Sequence, residues 1–294
     1  TQMADAFVTQ YRAEFISAFE DRQSILRATT VQESVIKGNT ATFLVAGAGT
    51  AVAQTRGTNG LIPARADTLT QSSATLNEWH DLVRRTDFNL FASQGDGRRI
   101  MQETTMAVLN RKIDDIIIAQ LDTATNDTGT AQVASLDLVI YAQTVLGNNF
   151  VDLTDEDNLF CLVTPAFNGY MMQVPEYASA DYVDVKPFTG PVRKFRRYMG
   201  FNWMIHPRLT NSIGAGGTSA SEQCYMFHRN AIGCAVDKGG ADIDADRDRE
   251  QGYAWARASI ALGAVKLQNA GIVMLKHNGS AYAAQQGGLK HGIR

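Results

Sequence analysis

Apolar positions recur along this chain with two different periods. Phe7, Tyr11, Phe15 and Phe19 fall every fourth residue, one helical turn apart, so residues 3–27 are predicted to be helical with an aromatic stripe. Most charges nearby, among them Arg12, Glu14 and Arg22, lie off that stripe. Met106, Leu109, Ile113, Ile117 and Leu121 step by three, four, four and four, which predicts a helix over 98–122, about 40 Å long at 1.5 Å per residue. Between these segments the period changes. Val31–Ile36 and Thr40–Val45 flank Lys37-Gly38-Asn39, a turn signal that predicts a β-hairpin, and β character returns at 75–83. Ser135 is placed to cap a helix ending at Gly147. Leu159–Thr164 reads as a buried strand, and Pro165 opens a short helix running to Met172. Phe201–Ile205 reads as a strand, and 213–221 as a glycine loop. Cys224–Phe227 is predicted as a strand running into a helix over 228–236. Two further strands, 253–265 and 271–275, precede a loose tail from 278. These elements predict an α+β fold.

Composition adds one anomaly. Charged residues make up 19% of the 294, below the usual share of about 25%, while apolar residues are ordinary at 45% and net charge is −3. A disordered polyelectrolyte and a broadly basic nucleic-acid-binding domain are thereby excluded. Three cysteines without a C-x-x-C do not make a disulfide framework and suit a reducing compartment. The first residues lack a signal-peptide pattern, and Thr1 suits removal of an initiator Met. The uncharged run Gly38–Thr55 is too rich in Thr, Asn and Gln to span a membrane. The deficit is local: residues 38–75 carry only Arg56, Arg65 and Asp67 as charges. A long stretch with little structure of its own is unusual inside a compact domain: it is either mobile or stabilised by something outside the monomer.

Candidate chemistry is thin. Gly47-Ala-Gly49 follows an apolar strand with Asp67 about twenty residues on, as a dinucleotide loop would, but Gly57, Gly60 and Pro63 preclude the helix that must face the pyrophosphate. Asp242-Ile-Asp244-Ala-Asp246-Arg-Asp248-Arg-Glu250 resembles the start of a calcium loop, yet the sixth and twelfth positions hold Arg247 and Tyr253 rather than Gly and a carboxylate; a solvated acidic loop or strand edge is expected. Gly217-Thr-Ser219-Ala-Ser221 lacks the last glycine of a nucleophile elbow. The five histidines are scattered without metal-ligand spacing. Arg193, Lys194, Arg196 and Arg197, interleaved with Phe195 and Tyr198, form the densest basic patch and suit either phosphate or a subunit contact. No catalytic, cofactor or metal set is expected.

The order of arm, uncharged β excursion, long helix, α/β region and closing strands resembles the major capsid proteins of tailed bacteriophages, with the Hong Kong 97-type fold. Cys224-Tyr-Met-Phe-His-Arg-Asn-Ala-Ile-Gly-Cys-Ala235 and Ala261-Leu-Gly-Ala-Val-Lys-Leu-Gln-Asn-Ala-Gly-Ile-Val273 are similar to late segments of that family. The resemblance implies an N-arm (1–30), an E-loop (31–85), a peripheral domain with the spine helix (86–130), an axial domain (131–240), and closing peripheral strands with a C-terminal tail (241–294). It further implies self-assembly into hexamers and pentamers of an icosahedral head enclosing double-stranded DNA, in a virion assembled in host cytoplasm. Expected partners are further copies of the chain, nonspecifically held DNA, a separate scaffolding protein, a portal and a decoration protein, with no membrane. Phe43, Arg56, Arg65 and Trp79 are the expected subunit-contact residues, the two arginines as intersubunit ion-pair partners. An encapsulin-like compartment shell shares the expected fold, and a nucleotide-binding enzyme is the more distant alternative.

Overall fold

Among the described residues, two five-stranded sheets and a two-stranded ribbon carry the fold. The structure is a computed structural model and describes residues 24–35, 38–47, 51–65, 68–86, 97–178, 196–237 and 240–283. Among these, no helix is long and apolar enough to cross a membrane. The predicted helix over 3–27 lies almost wholly outside the described residues, as do Arg193 and Lys194.

The first sheet runs in the order β12 (Ile272–His277), β8 (Glu222–His228), β5 (Leu159–Val163), β7 (Phe201–Ile205), β6 (Arg196–Tyr198). Only the β5–β7 pair is parallel. Every residue of β5 is buried, as expected of a strand covered on both faces. Helices α2 (Leu136–Asn148) and α3 (Pro165–Met171) contribute Leu138, Val139, Leu146, Phe167 and Met171 to the same core. Ser135 caps α2 as expected and Thr164 caps the helix that Pro165 opens: Ser135 Oγ accepts from the Leu138 N–H at 3.4 Å and Thr164 Oγ1 from the Phe167 N–H at 3.2 Å, satisfying amide donors that a helix start leaves free. Two single-turn helices, α4 (Pro175–Ala178) and α5 (Ser280–Ala283), complete this half.

The second sheet is organised by the long strand β11 (Tyr253–Lys266). Along one edge it pairs with β4 (Asn77–Thr86), from Tyr253 opposite Thr86 to Leu262 opposite Asn77. Leu262 also pairs with Val236 of β9 (Ile232–Asp237), so β9 lies on the other edge. The same edge is continued by β10 (Asp242–Asp248), from Asp242 opposite Ser259 to Asp248 opposite Tyr253. Strand β1 (Val31–Val35) joins β9 in parallel. Strict alternation along β11 turns Ala254, Ala256, Ala258, Ile260 and Leu262 inward. Helix α1 (Gly97–Leu121) shares a core with this face: Leu109, Ile113, Ile117 and Leu121 lie with Ala258, Ile260 and Leu262. The small alanines let the helix approach the sheet closely. The predicted stripe is thus the buried face, with Met106 at its half-buried end.

Two expectations are corrected. The Lys37-Gly38-Asn39 turn does not pair Val31–Val35 with the strand that follows. Instead β2 (Thr40–Gly47) pairs with β3 (Thr68–Thr75), Thr40 opposite Thr75 and Gly47 opposite Thr68, and β1 pairs with β9, some two hundred residues on. Residues 228–236 are not a helix: a 3-10 turn at Arg229–Ala231 separates β8 from β9. The acidic run forms β10, a strand with an exposed face, which fits the strand-edge expectation and removes the calcium-loop one.

The chain enters this framework at a carboxylate. Asp114 of α1, 4% exposed, accepts from Ser24 Oγ at 2.5 Å and from the Leu26 and Ile25 N–H groups at 3.1 and 3.2 Å. His206 Nε2 lies 3.6 Å from Oδ2, the oxygen that Ile25 also reaches. A buried carboxyl needs hydrogen-bond donors, and these come from residues 24–26, so Asp114 fixes where the segment from 24 onward meets the long helix.

Candidate assembly interface

The β2–β3 ribbon is held to the body at its root. Phe43, 7% exposed, packs with Ala41, Ala74 and Ala235 in a cluster separate from the main core. Gly233 is required beneath it, since a Cβ there would stand 2.8 Å from the ring. At Gly263 of β11 a Cβ would lie 2.2 Å from the Thr75 carbonyl oxygen, so backbone meets backbone where the ribbon leaves the sheet. The Leu76 N–H donates to the Asn39 carbonyl at 2.7 Å and closes the base.

Beyond the root the ribbon leaves its own subunit. All described residues from 51 to 65 are exposed. Leu44, Val52, Leu61, Ile62 and Leu69 are each 70% exposed or more, a density of bare apolar side chains that a soluble monomer rarely carries. The far end is nonetheless shaped. The Gly57 N–H donates to the Leu61 carbonyl at 3.1 Å and the Gly60 N–H to the Gly57 carbonyl at 2.8 Å. Gly60 adopts φ +73°, a conformation that glycine takes without penalty. This turn separates Arg56 from Leu61 and Ile62 along the chain.

The four expected contact residues therefore separate. Arg56 and Arg65 are exposed on the excursion. Phe43 is engaged within its own chain, and so is Trp79, which packs on the main core with Lys112 Nζ 4.0 Å from its ring centroid. The basic patch divides too. Arg197 is tied to Asp157 and Asn202 and lies 3.7 Å from Glu156, which makes it a brace between β6 and the turn before β5. Of Arg196 only the backbone is described, in β6. Sequence reasoning missed Val52, Leu61 and Ile62, although apolar residues in a charge-poor turn-rich segment were the available signal.

Nothing described is arranged for catalysis. The three thiols are buried; burial raises those of Cys161 and Cys234 and pushes Cys224 up to about 12, so none is a ready nucleophile. No group of metal-binding side chains occurs among the described residues. No helix follows Gly47 in the described stretch 51–65, so the nucleotide reading has no structural counterpart there. Polar side chains instead brace elements. Arg208 donates twice to Asp115 of α1, at 2.7 and 3.1 Å. Asp122 accepts from Thr210 at 2.6 Å and from Tyr225, which with burial raises the phenol. Glu222, 2% exposed, accepts from Thr164, and His277 sits opposite it in the β8–β12 register.

The exposed apolar side chains of the ribbon are the surface of this fold that asks for a covering partner. The family model described as phage capsid protein matches residues 3–278, and the chain belongs to that family. It is a structural protein of a phage capsid, not an enzyme. No curated protein matches it in sequence. Among solved structures, the capsid of the cyanophage P-SCSP1u is 14% identical, with a TM-score of 0.66 over 93% of each chain. A chain from Mycobacterium phage Che8 is 15% identical, with a TM-score of 0.70 over 93% of this chain and 98% of its own. The capsid of a native GTA particle is 14% identical, with a TM-score of 0.67 over 92% and 95%. At such identities the likeness is one of fold.

Proposed function

We propose that copies of this chain form hexamers and pentamers that close into an icosahedral phage head around double-stranded DNA. In this reading residues 1–30 are an arm, 31–85 an extended loop over a neighbour, 86–130 and 241–294 the peripheral domain, and 131–240 the axial domain. The observation that carries it is the ribbon: exposed apolar side chains on a segment with almost no charge, anchored to its own body at its root. Few charges mean little desolvation cost on docking, and shells of symmetry-related copies supply the missing partner surface. Net charge near −3 suits sparse, nonspecific contact with DNA. A separate scaffolding protein, a portal and a decoration protein are the further partners of this reading, with assembly in host cytoplasm. The test is purification of assembled particles from an infected or packaging-competent host. Nuclease-resistant double-stranded DNA inside closed shells is expected. Shells holding a protein cargo and no DNA would instead indicate an encapsulin-like compartment.

A further inference from the structure

Three asparagines of this chain are followed by glycine: Asn59-Gly60, Asn168-Gly169 and Asn278-Gly279. Such a pair is reactive wherever the glycine amide nitrogen can reach the asparagine Cγ. Glycine has no Cβ to hinder that approach and the backbone freedom to make it. The fold treats the three pairs differently. Asn168 lies inside α3, is 9% exposed, and its Oδ1 accepts from the Tyr177 hydroxyl at 3.4 Å. Asn278 is clamped on both sides of the reactive bond. Its Oδ1 accepts from the Ser280 N–H and hydroxyl at 3.1 and 2.7 Å, and the Gly279 N–H donates to the Ser219 carbonyl at 2.8 Å. Gly279 is itself buried, with Ala166 and Glu222 3.0 Å from where a Cβ would stand. Asn59 has none of this. It is exposed at the far end of the ribbon, and no hydrogen bond holds its side chain among the described residues. Gly60 is exposed too, with nothing within 4 Å of where a Cβ would stand. What restrains the pair is the bond from the Gly60 N–H to the Gly57 carbonyl, and a solvent-exposed turn bond opens at little cost.

We propose that Asn59 is a self-modification site, converting to aspartate and isoaspartate through a cyclic imide with Gly60, and that the conversion marks chains left outside the shell. When the turn bond opens, the Gly60 nitrogen loses its proton to solvent and attacks Cγ of Asn59. A C–N bond forms, the Cγ–Nδ2 bond breaks, and Nδ2 leaves as ammonia with a proton from water. Water then adds to either ring carbonyl and breaks that carbonyl's bond to the ring nitrogen. One product is aspartate on the original main chain. The other is isoaspartate, whose main chain runs through the former side chain. No electrons are exchanged: water enters and ammonia leaves. Both products bring a carboxylate to residues 51–65, whose charges are otherwise Arg56 and Arg65, and covering the tip then carries the cost of desolvating it. Isoaspartate also lengthens the main chain inside the turn that Gly57, Gly60 and Leu61 close. In an assembled copy the covered turn no longer opens, so the amide persists. The chemistry stands on the ribbon turn; its link to assembly rests on the shell reading.

The test begins with unassembled chain aged at mildly alkaline pH and mapped by mass spectrometry, with isoaspartate read by enzymatic methylation. Asn59 converts about tenfold or more faster than Asn168 and Asn278, whose structured surroundings must open first, and its rate rises with pH. No conversion at Asn59, or equal conversion at all three, overturns the proposal. Aged wild type is then put through assembly and separated by sedimentation. Converted Asn59 is expected to stay in the unassembled fraction; equal shares in particles and supernatant overturn the link to assembly. Asn59→Asp lowers particle yield about tenfold, the equivalent of about 1.4 kcal/mol, whereas Asn59→Gln, uncharged and slow to cyclise, assembles like wild type. Full yield from Asn59→Asp, or equal loss from Asn59→Gln, overturns that link as well. Wild-type chain that forms no particles while Asn59 still converts contradicts the shell reading and not the modification site.

Discussion

Phe43→Ala separates the ribbon's anchor from the stability of the body. The ring is 7% exposed and meets Gly233 and three alanines in a cluster apart from the main core. Replacing it by a methyl group removes roughly 120 Å² of buried apolar surface, about 3 kcal/mol at ~25 cal/mol per Å². That is a factor of about 150 in the equilibrium for opening the ribbon. Native-state hydrogen exchange on the unassembled protein reads it directly. Protection in β2 and β3 falls by about two orders of magnitude, while Leu162 in β5 and Met226 in β8 keep theirs. Assembly suffers in parallel, because a ribbon loose at its root loses the fixed direction in which it projects. Equal loss across all strands would show that Phe43 belongs to the main cooperative unit. Unchanged protection in β2 and β3 would show that the root is held by backbone contacts alone. Either result refutes the reasoning.

Other expectations concern the frame. Asp114→Asn leaves one acceptor for the Ser24, Ile25 and Leu26 donors and costs about 3 kcal/mol in urea unfolding, whereas Asp127→Asn, at the half-exposed pair with Lys276, costs under about 1 kcal/mol; similar losses would deny Asp114 its organising role. Phe150 follows α2 at φ 60° and is 77% exposed. The hydrogen bonds Phe150 N–H to Gly147 and Val151 N–H to Leu146, 3.1 and 3.2 Å, complete a helix stop that ordinarily uses glycine, so Phe150→Gly stabilises the unassembled chain by about 1 kcal/mol; destabilisation would show that the ring packs within the chain. His277 is buried, which lowers its pKa below the usual 6.5. The unfolded chain therefore takes up a proton first as pH falls through 6.5, and stability declines from there until the folded state also protonates. The thermal midpoint of wild type drops from pH 7 to 5 more steeply than that of His277→Gln, and parallel curves would contradict the assignment.

How much of this was legible depends on how local the signal was. Helix α1 could be read from Met106, Leu109, Ile113, Ile117 and Leu121 because one face of a helix is specified by neighbours four residues away. Ser135 and Pro165 are equally local. The Lys37-Gly38-Asn39 turn misled because β1 finds its partner in Gly233–Asp237, a parallel pairing that no short-range pattern announces. Residues 228–236 misled because β8 and β9 are buried almost throughout, so polar alternation, the usual mark of a strand, is missing. Phe43 and Trp79 were legible as important and not as internal, since an aromatic residue in a charge-poor segment looks the same whether its own chain or another covers it. The acidic run of β10 was visible as period-two acidity. Its place in a sheet needed the register that sets Asp244 beside Arg257 and Asp246 beside Trp255.

A particle reconstruction by electron cryomicroscopy tests the central claim most directly. Closed icosahedral shells are expected, with residues 51–65 of each copy covered by a neighbouring copy. Shells in which that segment faces solvent, or a chain that stays monomeric at high concentration, would contradict it.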